Sequence, residues 1–170
     1  MDGRAVMKQA PASGKRTTLS VHLLRVLGAC ALAALSLTAS SGLARAGPTE
    51  GYRALEAGDY GAAEAAFRPL AEAGDARAQM ALGVIADLEN EREAAMAWYK
   101  RAGEQGLSDA QVLLGAAHLS NGDLLAAHCW IAKAAERKHP KADALLQSIA
   151  ARLSPEELAR AQALLDEGCP

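Results

Sequence analysis

From residue 51 onward, apolar side chains recur at three- and four-residue spacing in short blocks, and the blocks themselves recur every 32 residues. Ala78, Leu82 and Ala86 share one helix face, and Ala95, Tyr99 and Ala102 share the next. One period later Ala110, Leu114 and His118 form the first face, and Ala127, Ile131 and Ala134 the second. Four-residue recurrence is the mark of a helix with one face turned inward. Polar turns separate the blocks: Asp87-Leu88-Glu89-Asn90-Glu91-Arg92 in one unit and Ser120-Asn121-Gly122-Asp123 in the next. No alternating apolar–polar run appears, so no sheet is expected.

The period is carried by particular residues. Gly51, Gly83 and Gly115 stand 32 apart, as do Gly74 and Gly106, Phe67 and Tyr99, Trp98 and Trp130, and Ala78, Ala110 and Ala142. A fixed period in this range means stacked supersecondary units, none able to bury its apolar face alone. The spacing therefore predicts an all-α solenoid of helix-turn-helix repeats. It divides into repeats at about 47–75, 76–108 and 109–141, with a cap over 142–168. Gly83 lets another backbone approach, Gly106 closes a helix in the left-handed region, and Ser108-Asp109 restarts the next with capping chemistry. Pro69 is expected to kink or limit the second helix of the first repeat. Ser154-Pro155-Glu156-Glu157 places cap, proline and acids in the order that starts a helix, here a capping helix running to about Glu167.

Residues 1–46 read differently. Arg4, Lys8, Lys15, Arg16 and Arg25 precede a largely apolar run, Val26 to Ala39, and Ala44-Arg45-Ala46 follows. This is the order of a general secretion signal cleaved after Ala46, and the run is short for a bilayer span. Met7 offers a second start. Export implies a periplasmic or secreted protein with no stable membrane insertion once the signal is gone. The whole chain carries a net charge of −2. Removing residues 1–46 takes away one acid and six bases and leaves −7. That charge argues against nucleic acid or an anionic membrane as the main partner.

Chemistry is sparse. No nucleophile elbow, phosphate loop or paired-cysteine zinc spacing occurs. His128 and Cys129 are sequence neighbours, about 100° apart on a helix, and do not converge on a metal without a third ligand. His118 reads as a core histidine, and Trp98, Tyr99 and Trp130 as packing residues. Neither a metal, a cofactor nor an enzymatic activity is expected. Cys129 and Cys169 survive signal removal; spacing leaves open whether they pair or Cys169 stays free.

Ala95-Met96-Ala97-Trp98-Tyr99-Lys100-Arg101-Ala102-Gly103-Glu104-Gln105-Gly106, followed by Ala110-Gln111 and Leu114-Gly115, resembles the Sel-one-like repeats, relatives of tetratricopeptide repeats. Ala65-Ala66-Phe67-Arg68-Pro69-Leu70-Ala71-Glu72-Ala73-Gly74-Asp75 resembles the opening unit of exported bacterial members. The inter-helix turn is shorter than that family's, and Lys138 replaces a closing glycine. The resemblance implies a right-handed superhelix whose first helices line a concave face. It assigns to that face Tyr52 and Leu55, then Arg77, Met80, Val84 and Asp87, then Asp109, Val112, Ala116 and Leu119. It implies an interaction module that holds a protein or peptide there. A cell-wall enzyme or accessory and a self-associating structural protein, joined through a free Cys169 or an open end of the stack, are the alternatives.

Overall fold

The computed structural model describes residues 47–170. The expected signal and its cleavage site lie outside the described residues. Among the described residues the regular structure is helical, with eight α-helices and no strand. They are α1 (Pro48–Glu56), α2 (Tyr60–Glu72), α3 (Ala76–Leu88), α4 (Arg92–Glu104), α5 (Ser108–Ser120), α6 (Leu124–Glu136), α7 (Ala142–Ala150) and α8 (Pro155–Glu167). Each of the first six packs on its successor, ending with α6 on α7, giving three stacked helix pairs. The last step breaks the rule, because α8 packs back on α6. The cap thus holds two helices, and α8 seals the stack from the side.

The glycines at 51, 83 and 115 make the pairs. A Cβ at Gly83 would lie 2.5 Å from the Tyr99 ring and 3.2 Å from the Ala95 carbonyl oxygen. At Gly51 it would lie 2.7 Å from the Phe67 ring, and at Gly115 2.6 Å from Ile131 Cδ1. Each partner sits 16 residues beyond its glycine. The period therefore encodes a socket and a knob: the second helix drives a large side chain into the groove left by the first helix's glycine. At Gly83 the approach is chiefly by a ring, with one backbone carbonyl beside it. Phe67, Tyr99 and Ile131 are each about 1 % exposed.

Nearly every turn is the same device. Gly58, Gly74, Gly106 and Gly122 have positive φ, and so do Asn90 and Lys138, at 64° and 59°. In each turn that residue's N–H reaches back three residues and the next N–H five, as in Gly106 to Gly103 and Leu107 to Ala102. This closes the helix by satisfying its last carbonyls. Lys138 performs the closure with a side chain in the way, and Gly168 with φ 111° follows α8.

Helix starts differ more. Asp59, Asp75, Asp123 and Ser154 cap their helices through the side chain, and the Ser154 N–H donates in return to the Glu157 carboxylate. The expected capping at Ser108-Asp109 does not occur: Leu107 is the N-cap, Ser108 is already helical, and no side chain caps α5. The main-chain closure at Gly106 brings Leu107 to the cap position and leaves Ser108 inside the first turn. Pro69 lies inside α2, and the helix runs through it to Glu72. The carbonyl its missing N–H would have bonded belongs to Ala65, an exposed residue.

The cysteine question is settled by topology. Folding brings Cys129 and Cys169, 40 residues apart, to a Cα separation of 5.7 Å, and they form a disulfide. Trp130 Nε1 donates to the Pro170 carbonyl oxygen at 2.9 Å. Two bonds thus pin the C-terminal tail to α6. Cys169 is not the free thiol that one self-association route required.

Candidate partner-binding face

The ten residues assigned to the concave face all lie on the first helices of the pairs, α1, α3 and α5. None is buried. The periodic faces of these helices are spent on the stack: Ala78, Leu82 and Ala86 on α3, Ala110 and Leu114 on α5. What remains is a second stripe beside the buried one. Met80 and Val84 are half-buried against the cluster of Tyr99, Leu114 and Trp130. Val112 and Leu119 are half-buried against Ala127, Ile131 and Ile149. Leu55 does the same against Phe67 and Leu82. Ala116 is exposed.

Tyr52 is 41 % exposed and stands edge-on to Phe67 with ring centroids 4.9 Å apart. It lines a pocket of about 320 Å³ together with Arg77, Phe67 and Leu70. Asp87 and Ala116 are brought together in a second, shallower pocket of about 180 Å³, with Arg92, Leu113 and Ser120. The assigned residues thus form a row with two depressions and no single cleft. Arg92 and Leu113 were not in the assignment; Arg92 opens α4 and crosses to Asn121 Oδ1 at 3.1 Å. Its position at a second helix's start carries no sequence signal for this face.

Two assigned acids are already engaged. Tyr99 Oη donates to Asp87 Oδ2 at 2.8 Å, and burial together with that acid pushes the phenol far above its ordinary pKa. Asp109 Oδ1 lies 3.1 Å from His139 Nε2. His118 is half-buried, with Nδ1 3.6 Å from Asp123 Oδ2; burial lowers its pKa and Asp123 partly opposes that. His128 is 5 % exposed, its Nδ1 has no partner, and burial lowers its pKa. Among the described residues no three side chains of the His, Cys, Asp and Glu type converge as a metal site would need. Trp98 and Trp130 carry cations on their faces, Arg101 at 4.6 Å and Lys133 at 5.4 Å, again one period apart. Trp130 is buried and Trp98 half-buried.

No family model matches the chain, and no curated protein is significantly similar to it. The reading of function therefore starts from the geometry. These side chains offer apolar patches edged by charge, which suit non-covalent contact with an extended segment or a helix.

Proposed function

We propose that this chain is an exported interaction module that captures a protein or peptide on the face formed by α1, α3 and α5. One observation carries the reading. The first helices keep half-exposed apolar side chains, Met80 and Val84 on α3 and Val112 and Leu119 on α5, beside the faces that build the stack. Stacked repeats convert short helices into a long recognition surface in this way. The likeness of Ala95–Gly106 to Sel-one-like repeats supports the same face, and the order of residues 1–46 supports export. Binding would proceed by apolar burial along the row, with Arg77 and Asp87 at its edges setting direction.

The test is a cross-linking pull-down from the envelope fraction of the native host. The parent protein is compared with a Met80→Glu/Val112→Glu double variant that keeps the parent's helical melt. A partner held by the parent and lost by the variant supports the face. Equal capture by both overturns the face, and capture by neither overturns the interaction role.

A further inference from the structure

The turn between α6 and α7 gathers positive charge in an acidic chain. Residues 133–141 hold Lys133, Arg137, Lys138 and Lys141 against one acid, Glu136. They stand at +3 within a span, 47–170, whose net charge is −7. Arg137, Lys138 and Lys141 are exposed, and Lys133 is half-exposed with its Nζ 5.4 Å over the Trp130 ring. Among the described residues the ion pairs join Arg68 to Glu64, His118 to Asp123 and His139 to Asp109, and none uses these four cations. The turn that carries them is fixed. The Lys138 N–H bonds the Ala135 carbonyl, and the His139 N–H that of Ala134. The Lys141 N–H donates to His139 Nδ1 at 3.3 Å, which leaves the ring proton on Nε2 for Asp109 Oδ1 at 3.1 Å. The Arg137 guanidinium lies against Gly106. Cations on a fixed backbone lose little freedom when an anion arrives.

Lys138 adds an independent sign. It stands one period after Gly106 and two after Gly74, in the same helix closure, at φ 59°. Asn90 replaces glycine in the other series of turns, but asparagine tolerates the left-handed region and lysine is not among the residues that do. A side chain kept where glycine would relieve strain points to a use for that side chain. We propose that this turn docks an acidic segment of a partner protein, a short run of aspartates and glutamates whose carboxylates meet Arg137, Lys138 and Lys141, with Lys133 beside them. The acids around the turn limit what fits. Glu104 ends α4, Glu136 ends α6, and Asp109 and Asp143 lie in the first turns of α5 and α7. An anionic membrane or a nucleic-acid duplex is broad and would press on these acids too, whereas a single extended chain reaches the cations alone. Of the ten residues assigned to the α1, α3 and α5 face only Asp109 borders the turn, and His139 already engages it. The proposal therefore stands or falls independently of that face.

The experiment titrates ¹⁵N-labelled protein, purified as an exporting bacterial host accumulates it, with acetyl-hexaglutamate amide, and with acetyl-hexaglutamine amide as the uncharged control. The backbone amides of Lys138, His139 and Lys141 are followed. The expected result at low salt is a saturable shift with a dissociation constant on the order of 0.1–1 mM, as a few exposed charge pairs provide. Raising the salt to about 0.2 M should weaken it roughly fivefold or more, and the glutamine peptide should move nothing. Lys138→Gln/Lys141→Gln should weaken binding about fivefold with the helical melt unchanged, while Arg53→Gln/Arg160→Gln, which removes the same charge from exposed sites elsewhere, should leave it within about twofold. Lys138→Gly should weaken binding and raise the melting temperature together. No saturable shift at these amides, or equal losses in the two double variants, overturns the proposal. Phosphatidylglycerol vesicles that hold the parent more tightly than the peptide does, and release it in Lys138→Gln/Lys141→Gln, overturn it in favour of a membrane surface.

Discussion

Replacing Cys169 with serine removes the clamp between the C-terminal tail and α6 while leaving Cys129, a buried apolar thiol, in its place. The crosslink closes a loop of 40 residues. Chain-entropy bookkeeping for a loop of that length gives about 4 kcal/mol of stabilisation, with engineered and native cases commonly falling at 2–4 kcal/mol. A domain of roughly 120 residues unfolds with an entropy near 0.25 kcal/mol/K, so the melting temperature should fall by about 8–15 °C. The tail's second tie, from Trp130 Nε1 to the Pro170 carbonyl, should loosen with it. Trp130 fluorescence would then shift to the red well below the global melt. Circular dichroism melts together with tryptophan emission spectra of parent and variant, each with and without a phosphine reductant, measure the two effects. The parent in reductant should match the variant, and the variant should ignore reductant. A variant that melts within 2 °C of the oxidised parent would refute the clamp.

The other predictions concern packing and charge. Gly83→Ala and Gly115→Ala should each cost about 1–3 kcal/mol, because the new Cβ meets the buried Tyr99 ring in one and Cγ1 and Cδ1 of the buried Ile131 in the other; an unchanged urea midpoint in either would argue against it. Lys138→Gly should stabilise by about 0.5–1 kcal/mol, since a lysine at φ 59° bears left-handed strain that glycine does not; an unchanged urea midpoint would argue against it. His128 is held neutral by burial, so the unfolded chain binds its proton more readily than the folded one. The stability it contributes is complete above its ordinary pKa of 6.5 and declines as pH falls below that value. Melting temperatures from pH 8 to pH 5 should show the decline, and His128→Leu should lessen it, leaving the share of the same sign that half-buried His118 adds.

Much of this architecture is legible in the chain because its physics is local and repeated. The 32-residue spacing of Gly51 and Gly83, and of Phe67 and Tyr99, announces the stacked units, while the seating of each ring on the glycine 16 residues before it appears only in the packed helices. The Ser154 box announces α8 by residues next to one another. Where reasoning from sequence stopped, the deciding term was a distance between remote segments. The Cys129–Cys169 pairing depends on α8 turning back onto α6, and nothing between residues 130 and 168 encodes that return. The uncapped start of α5 depends on where the Gly106 closure leaves Leu107, a competition between neighbouring hydrogen bonds that residue type alone does not resolve. The second stripe on α3 and α5 was reached through family likeness; its half-burial, and the part played by Arg92 and Leu113, came only with the packed neighbours.

The central claim is that a partner lies along α1, α3 and α5, and photo-crosslinking tests it most directly. A photoreactive amino acid would replace Val112 in the face, or the exposed Ala97 on α4, in the full chain expressed in its native host. The account predicts one discrete crosslinked partner from position 112 and none from position 97. The same product from both positions, or a product from position 97 alone, would contradict it.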